Sequence, residues 1–211
     1  MARTTDPIQH EKRRAHIKGV ASFLISSQGY DNTSTAQIAK AAKISSGSFF
    51  HYFHTKRDLF IAILTDDTAK DTEDELASAL ADPDPWQGLV GYVTRRLAGA
   101  STIPFVPGLV IEALLQAKRD PELAELLDKD ARNEATGLRQ LLERARAAGV
   151  IDSGLELARA ERWLVALSNV MYLEGALNDE FDPAQEMETL KLLLGRFLRS
   201  PRTSDEQRPL A

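Results

Sequence analysis

The 211-residue chain contains no cysteine, which removes disulfides, thiolate zinc sites and thiol redox switching together. It has no run of about 18 apolar residues to span a bilayer. Its first stretch, MARTTDPIQHEKRRAHIKG, lacks the apolar core of a secretion signal. A cytoplasmic protein without membrane contact is the expectation. Runs of β-branched residues with a period of two are missing as well, so strands have little to build on. No phosphate-cradling glycine loop, zinc-protease pair or nucleophile elbow occurs, which leaves no visible enzyme site. His51 and His54 stand three apart with no carboxylate or thiol cluster beside them, so neither a metal nor another cofactor is expected.

What is present is 43% apolar and 27% charged residues, the balance of a soluble globular protein. The net charge of −5 hides an asymmetry: residues 1–60 carry nine Lys and Arg against four acids, and the remainder 17 against 27. A basic end on an acidic body suits a protein that turns one end toward a polyanion.

Ala, Leu, Glu, Arg and Lys fill long windows of helical period, and an all-α chain of about nine helices is expected. The first runs from about Ile8 to Gln28, with Ile17, Val20, Ala21, Leu24 and Ile25 on one face and Gly29 as its left-handed stop. Thr33 or Ser34 caps a short helix ending near Ala41, and Ser45 caps another ending near Tyr52. Thr55 opens a long fourth helix reaching about Ala81, where DPDP breaks the chain. Helical patterns follow at 86–101, near 105–118 and from Pro121 to Gly149. Two more cover about 155–179 and 183–199, and a polar tail from 201 to 211 is expected to be disordered.

The segment TSTAQIAKAAKISSGSFF follows a helix-turn-helix pattern. Ile38 and Ala39 face inward, Ile44 plugs the turn and Phe49 anchors the second helix. Ser45, Ser46, Gly47 and Ser48 leave that helix's N-terminus uncluttered, which lets it enter a major groove with its N–H groups toward phosphates. Phe49 and Phe53 supply apolar area to a small domain, while Lys56 offers a cation to a phosphate.

This region resembles the DNA-binding part of the tetracycline-repressor (TetR) family of transcriptional regulators. The likeness runs from Ile17 to about Leu64 through GY at 29, TS at 33, IA at 38, IS at 44 and the long GSFFHYFHTKRDLF. It implies DNA contacts at Thr35 and Ala36 in the first short helix and at Ser46, Gly47 and Ser48 in the second. Phe50, His51, Tyr52 and Lys56 occupy the remaining contact positions. Three departures stand out. Phe50 replaces a common tyrosine and loses a hydroxyl. Lys43 replaces a turn glycine and is expected in a left-handed conformation costing about 1–2 kcal/mol. Ala36 can read little of a base edge, so part of the specificity falls to DNA shape.

The resemblance divides the chain into a helix-turn-helix domain at 1–54 and a ligand-binding and dimerisation domain at 55–200. RWLVALSNVMYLEGAL is apolar around nearly its whole circumference and must be buried on more than one side. Leu164, Leu167, Ser168, Met171, Tyr172 and Gly175 are the expected homodimer contacts on that helix, joined by Leu190, Leu194 and Phe197 on the last. A pocket for an unidentified small molecule is expected between them and the head. Its candidate lining is Leu64, Trp86, Val93 and Leu97 on the earlier helices, then Phe105, Leu109, Leu114 and Asn133, a mostly apolar set suited to a hydrophobic ligand. The function implied is a ligand-responsive repressor of a near-palindromic double-stranded operator. The alternatives are a helical module binding protein instead of DNA and, last, an enzyme.

Overall fold

The computed structural model describes residues 7–66, 68–98 and 103–199, with the backbone alone at 68–71. The tail expected from residue 201 lies outside them. Among the described residues every element is an α-helix: α1 (Pro7–Gln28), α2 (Thr35–Ala41), α3 (Ser46–Tyr52) and α4 (Lys56–Thr65), then α5 (Thr68–Ala81), α6 (Pro85–Arg96), α7 (Val106–Ala117), α8 (Pro121–Ala147), α9 (Leu157–Leu177) and α10 (Pro183–Leu198). None is long and apolar enough to cross a membrane.

The long fourth helix expected from Lys56 to Ala81 is two helices. Asp66 leaves the helical region (ψ 130°) because its carboxylate is held by Arg14 and by Lys18 Nζ (3.1 Å), both on α1. Burial works against the Asp66 charge, but hydrogen bonds from those two cations hold its carboxyl below its ordinary pKa. A second shortening falls at Arg96, where α6 ends with Leu97 as its cap. The rest of the 86–101 segment lies partly outside the described residues.

Two apolar cores result. The first gathers Ile17, Ala21 and Ile25 of α1 with Ile38, Phe49, Leu59 and Phe60, and draws in Leu109, Ala113 and Leu123. It therefore does not close at residue 54: α4 and α7 are built into it. The second joins Leu89, Tyr92, Val93 and Leu97 to Leu138, Leu141 and Leu142 of α8 and to Leu157, Leu164, Met171, Leu190 and Leu194. Helix α7 touches α1 on one side and α9 on the other, and α8 spans both cores, with Leu123 in the first and Leu138, Leu141 and Leu142 in the second. The approaches are close. A Cβ on Gly108 of α7 would lie 2.4 Å from Ser26 Oγ of α1, and one on Gly175 of α9 would lie 3.3 Å from Pro107 Cγ.

Candidate nucleic-acid interface and an interior cavity

The head is assembled by short-range hydrogen bonds that its own residues provide. Ser34 caps α2 by accepting from Gln37 N (3.2 Å), and the Gln37 side chain accepts from Ser34 N (2.7 Å), a reciprocal capping box. Thr33 is buried instead, its hydroxyl donating to Gly29 O at 2.8 Å. Between α2 and α3 Lys43 takes φ +56°. This lets Lys43 N donate to Lys40 O (3.2 Å) and Ile44 N to Ala39 O (3.0 Å), the bond pair that closes a helix through a left-handed residue. Ser45 then caps α3, accepting from Ser48 N at 3.1 Å.

Phe49 is fully buried and carries α3 on the core, with Phe50 edge-on to it at 5.4 Å. The other side of α3 is open. Ser46, Gly47, Phe50 and His51 are exposed, and the four-residue spacing of 46 with 50 and of 47 with 51 puts them on one helical face. Ala36 is exposed, while Thr35 and Ser48 are half-buried. Tyr52 packs its ring 4.7 Å from His10, tying the start of α1 to the end of α3. Arg13, His16 and Lys43 border a recess with Ser45 and Ser48. Arg13 and Lys43 border this recess yet were not among the expected contacts. The basic surplus before residue 60 was the signal for them.

Lys56, an expected phosphate contact, has its ammonium engaged within the head. It donates to Tyr30 O (2.7 Å) and Thr33 O (2.8 Å) and sits 4.0 Å from the centre of the Tyr30 ring. Burial lowers its pKa from the ordinary value, partly offset by Asp31. Two of its three donors are thus spent on the loop that precedes α2, so Lys56 positions the head. The neighbouring Arg57 reaches across to the cap of α8, with Nε 2.5 Å and Nη2 2.9 Å from the Asp120 carboxylate and Nη2 2.7 Å from Glu122. The Arg57 hydrogen bonds, followed by those from Leu123 N and Glu122 N, lower the Asp120 pKa to about 2.

Behind the head, a cavity of about 520 Å³ opens among α5, α6, α8 and α9. Of the expected lining only Asn133 borders it. Val93 and Leu97 are consumed by the second core and Leu109 by the first, with Leu64 packed against the first. Leu114 is exposed, Trp86 lies 3.8 Å beneath the Arg199 guanidinium, and Phe105 borders a separate recess with Phe23 and Val20 of α1. The reason is physical: the strongest apolar residues are the ones the cores bury first, so they cannot also line an open space. The lining that sequence reasoning missed is polar, including Thr72, Glu75, Arg96, Asp130 and Tyr172. On α8 it could have been seen as the stripe of Asp130, Asn133 and Gly137.

Several expected dimer contacts are likewise internal. Leu164, Ser168, Met171, Leu190 and Leu194 are buried within the protomer. Tyr172 turns inward to the cavity, its hydroxyl donating to Arg96 O at 2.9 Å, and Gly175 is closed off by Pro107 and Pro183. Leu167 and Phe197 are half-buried against the second core. The apolar surface left open is Trp163, Val170, Leu173 and Leu177 of α9 with Leu192 and Leu193 of α10.

A capped helix-turn-helix with an open second helix, set on a larger helical body with a half-open cavity, is the architecture of a DNA-binding regulator. Residues 19–63 match the family model described as bacterial regulatory proteins, tetR family. Across 186 residues the chain is 23% identical to the HTH-type transcriptional regulator UidR of Escherichia coli (strain K12), covering 88% of this chain and 92% of that protein. Its fold is similar to that of a putative transcriptional regulator from Saccharomonospora viridis solved in complex with choline (TM-score 0.78, 15% identity, 90% of this chain and 100% of that one). It is also similar to that of FadR from Bacillus subtilis in complex with stearoyl-CoA (TM-score 0.71, 18% identity, 85% and 96%). Residues 19–63 thus carry the DNA-binding domain of the tetR family of bacterial regulatory proteins, and the chain as a whole shares the fold of these regulators.

Proposed function

We propose that this protein is a homodimeric repressor that holds a near-palindromic operator through two helix-turn-helix heads and releases it when a small molecule fills the cavity. The observation that carries the reading is the exposed Ser46–Gly47 start of α3 on a frame locked by three side-chain caps. Such an end can enter a major groove with its backbone N–H groups toward phosphates. Thr35, Ala36, Ser48, Phe50, His51 and Tyr52 complete the contact surface.

The dimer surface we propose is the outer stripe of α9. Trp163, Ala166, Val170, Leu173 and Leu177 recur at alternating intervals of three and four, the spacing of a seam between packed helices. Leu192 and Leu193 of α10 extend it. Effector binding can act on DNA only by favouring one separation of the heads over another. The route runs through α7, which touches both α1 and α9. No catalytic step is part of this reading, and its setting is the cytoplasm.

Selection of bound fragments from random or genomic DNA, followed by a compound screen for release, tests the proposal. Recovery of one near-palindromic site with a steep loss of affinity in salt supports it. Failure to enrich any duplex at low ionic strength refutes it, and points to the protein-binding alternative.

A further inference from the structure

The ligands of the two similarly folded complexes, choline and stearoyl-CoA, are chemically unlike, so the effector class must come from this chain's own cavity. Its charges are not balanced. Arg96 looks like an anion site but is already engaged: its guanidinium lies 3.2 Å from Glu134 Oε1 through Nε and donates to Thr72 Oγ1 at 3.1 Å through Nη1. Arg95 and Glu73, one charge of each sign, are both exposed in the lining. Glu75 and Asp130 remain. Both are half-buried in the lining, and neither has an ion pair or hydrogen bond among the described residues. Burial, only partly offset by Arg96 and Lys129, raises the Asp130 pKa, as for a carboxylate lacking a close partner.

A second, independent feature points to the same place. Tyr92 is 0% exposed, and its hydroxyl has no well-formed hydrogen bond among the described residues, with only the Arg96 guanidinium nearby. It stands behind Gly137 and Leu76, which both line the cavity: a Cβ on Gly137 would lie 3.1 Å from Tyr92 Oη and 3.2 Å from the Leu76 methyls. A buried hydroxyl without a partner is rare in a native core and calls for an explanation.

These features decide between ligand classes. An apolar occupant would strip water from Glu75 and Asp130 and leave two carboxylates uncompensated, the costliest outcome available. An anion would find Arg96 engaged and meet the two carboxylates besides. We propose that the effector is a small organic cation that also bears an oxygen acceptor: its charge is balanced by Glu75 and Asp130, and its oxygen accepts a hydrogen bond from the Tyr92 hydroxyl once the Leu76 side chain moves aside. This rests on the reading of the cavity as the effector site.

The test uses the full chain and probes matched in size but not in charge: glucosamine, glucose and gluconate, together with choline and octanoate. Calorimetry and thermal melting without DNA are expected to show saturable binding of glucosamine or choline only. That binding should weaken about 10-fold or more in Glu75→Gln and in Asp130→Asn, the loss of one charged contact each. Tyr92→Phe separates site from scaffold. It should weaken probe binding while leaving the melting temperature of the unliganded protein unchanged or higher, because a buried unsatisfied hydroxyl has been removed. Circular dichroism of each variant confirms the fold.

The proposal is overturned if neither cation binds, if gluconate or octanoate binds in their place, or if cation binding survives both carboxylate substitutions. The same titrations on the protein bound to its selected operator keep the two readings apart. Release by octanoate or gluconate sinks the cation assignment and leaves the repressor standing, whereas absence of any DNA complex sinks the repressor and leaves the calorimetric result intact.

Discussion

At the scale of single residues, the head shows which side-chain roles are written locally and which are not. Lys43 was legible: a lysine in the place of a turn glycine, between two capped helices, has to accept a left-handed backbone, and φ +56° is what it takes. Lys43→Gly should therefore stabilise the protein by about 1 kcal/mol, a rise of about 2–4 °C in melting temperature for a chain of this size. An unchanged or lower value contradicts the strain. Lys56 was not legible, since its acceptors are loop carbonyls 26 and 23 positions away. Lys56→Met should cost about 1–3 kcal/mol by leaving the Thr33 carbonyl without its donor and the Tyr30 carbonyl with Thr33 N alone, with the salt dependence of DNA binding close to that of the parent. A salt slope reduced by about 1 would restore the phosphate role. Asp120 gives the pH signature. Its folded pKa of about 2 lies below the ordinary carboxylate value, so its contribution is present above about pH 4 and lost as pH falls toward 2. Asp120→Asn should flatten the stability profile across that window, as read by denaturant melts at each pH.

At the scale of elements, the positions and ends of the helices were largely readable, because caps and left-handed stops act within a few residues. Gly29 (φ +88°) and Gly149 (φ +69°) close α1 and α8 as their places after apolar periodic runs implied. The break between α4 and α5 was hidden, since the cations holding Asp66 lie about 50 positions back on α1. Helix α9 shows a subtler limit. Its all-round apolarity announced two buried sides, but composition cannot say which stripe faces the protomer's own core. Leu157, Ala160, Leu164 and Met171 face inward, and Trp163, at 56% exposure, and Leu177, at 72%, face out. Val170→Glu places a charge in the centre of the outer stripe without touching the inner one. Sedimentation should then show a monomer with near-parent helicity. A dimer of undiminished stability would move the interface elsewhere.

At the scale of the molecule, the two cores and the element between them explain how a regulatory body and a reading head can be coupled. Arg57 of α4 is tied to Asp120 at the cap of α8, and Arg14 and Lys18 of α1 to Asp66 at the end of α4, so charged points fasten the helices around the first core. Helix α7 meets α1 at Gly108 with almost no room to slide. A change at the cavity wall on α6 or α9 thus has a packed route to α1. Cavity lining was the least readable feature of all, because four helices distant in sequence contribute to it and the apolar residues that look like pocket walls were taken by the cores.

The central claim is that two heads on one dimer grip one duplex. Sedimentation velocity of the parent protein with a single selected operator fragment, at low and at physiological salt, measures it directly. The account predicts a complex of two protomers per site at low salt that dissociates steeply as salt rises. A single protomer bound per site with full affinity, or no complex at any ionic strength, would contradict it.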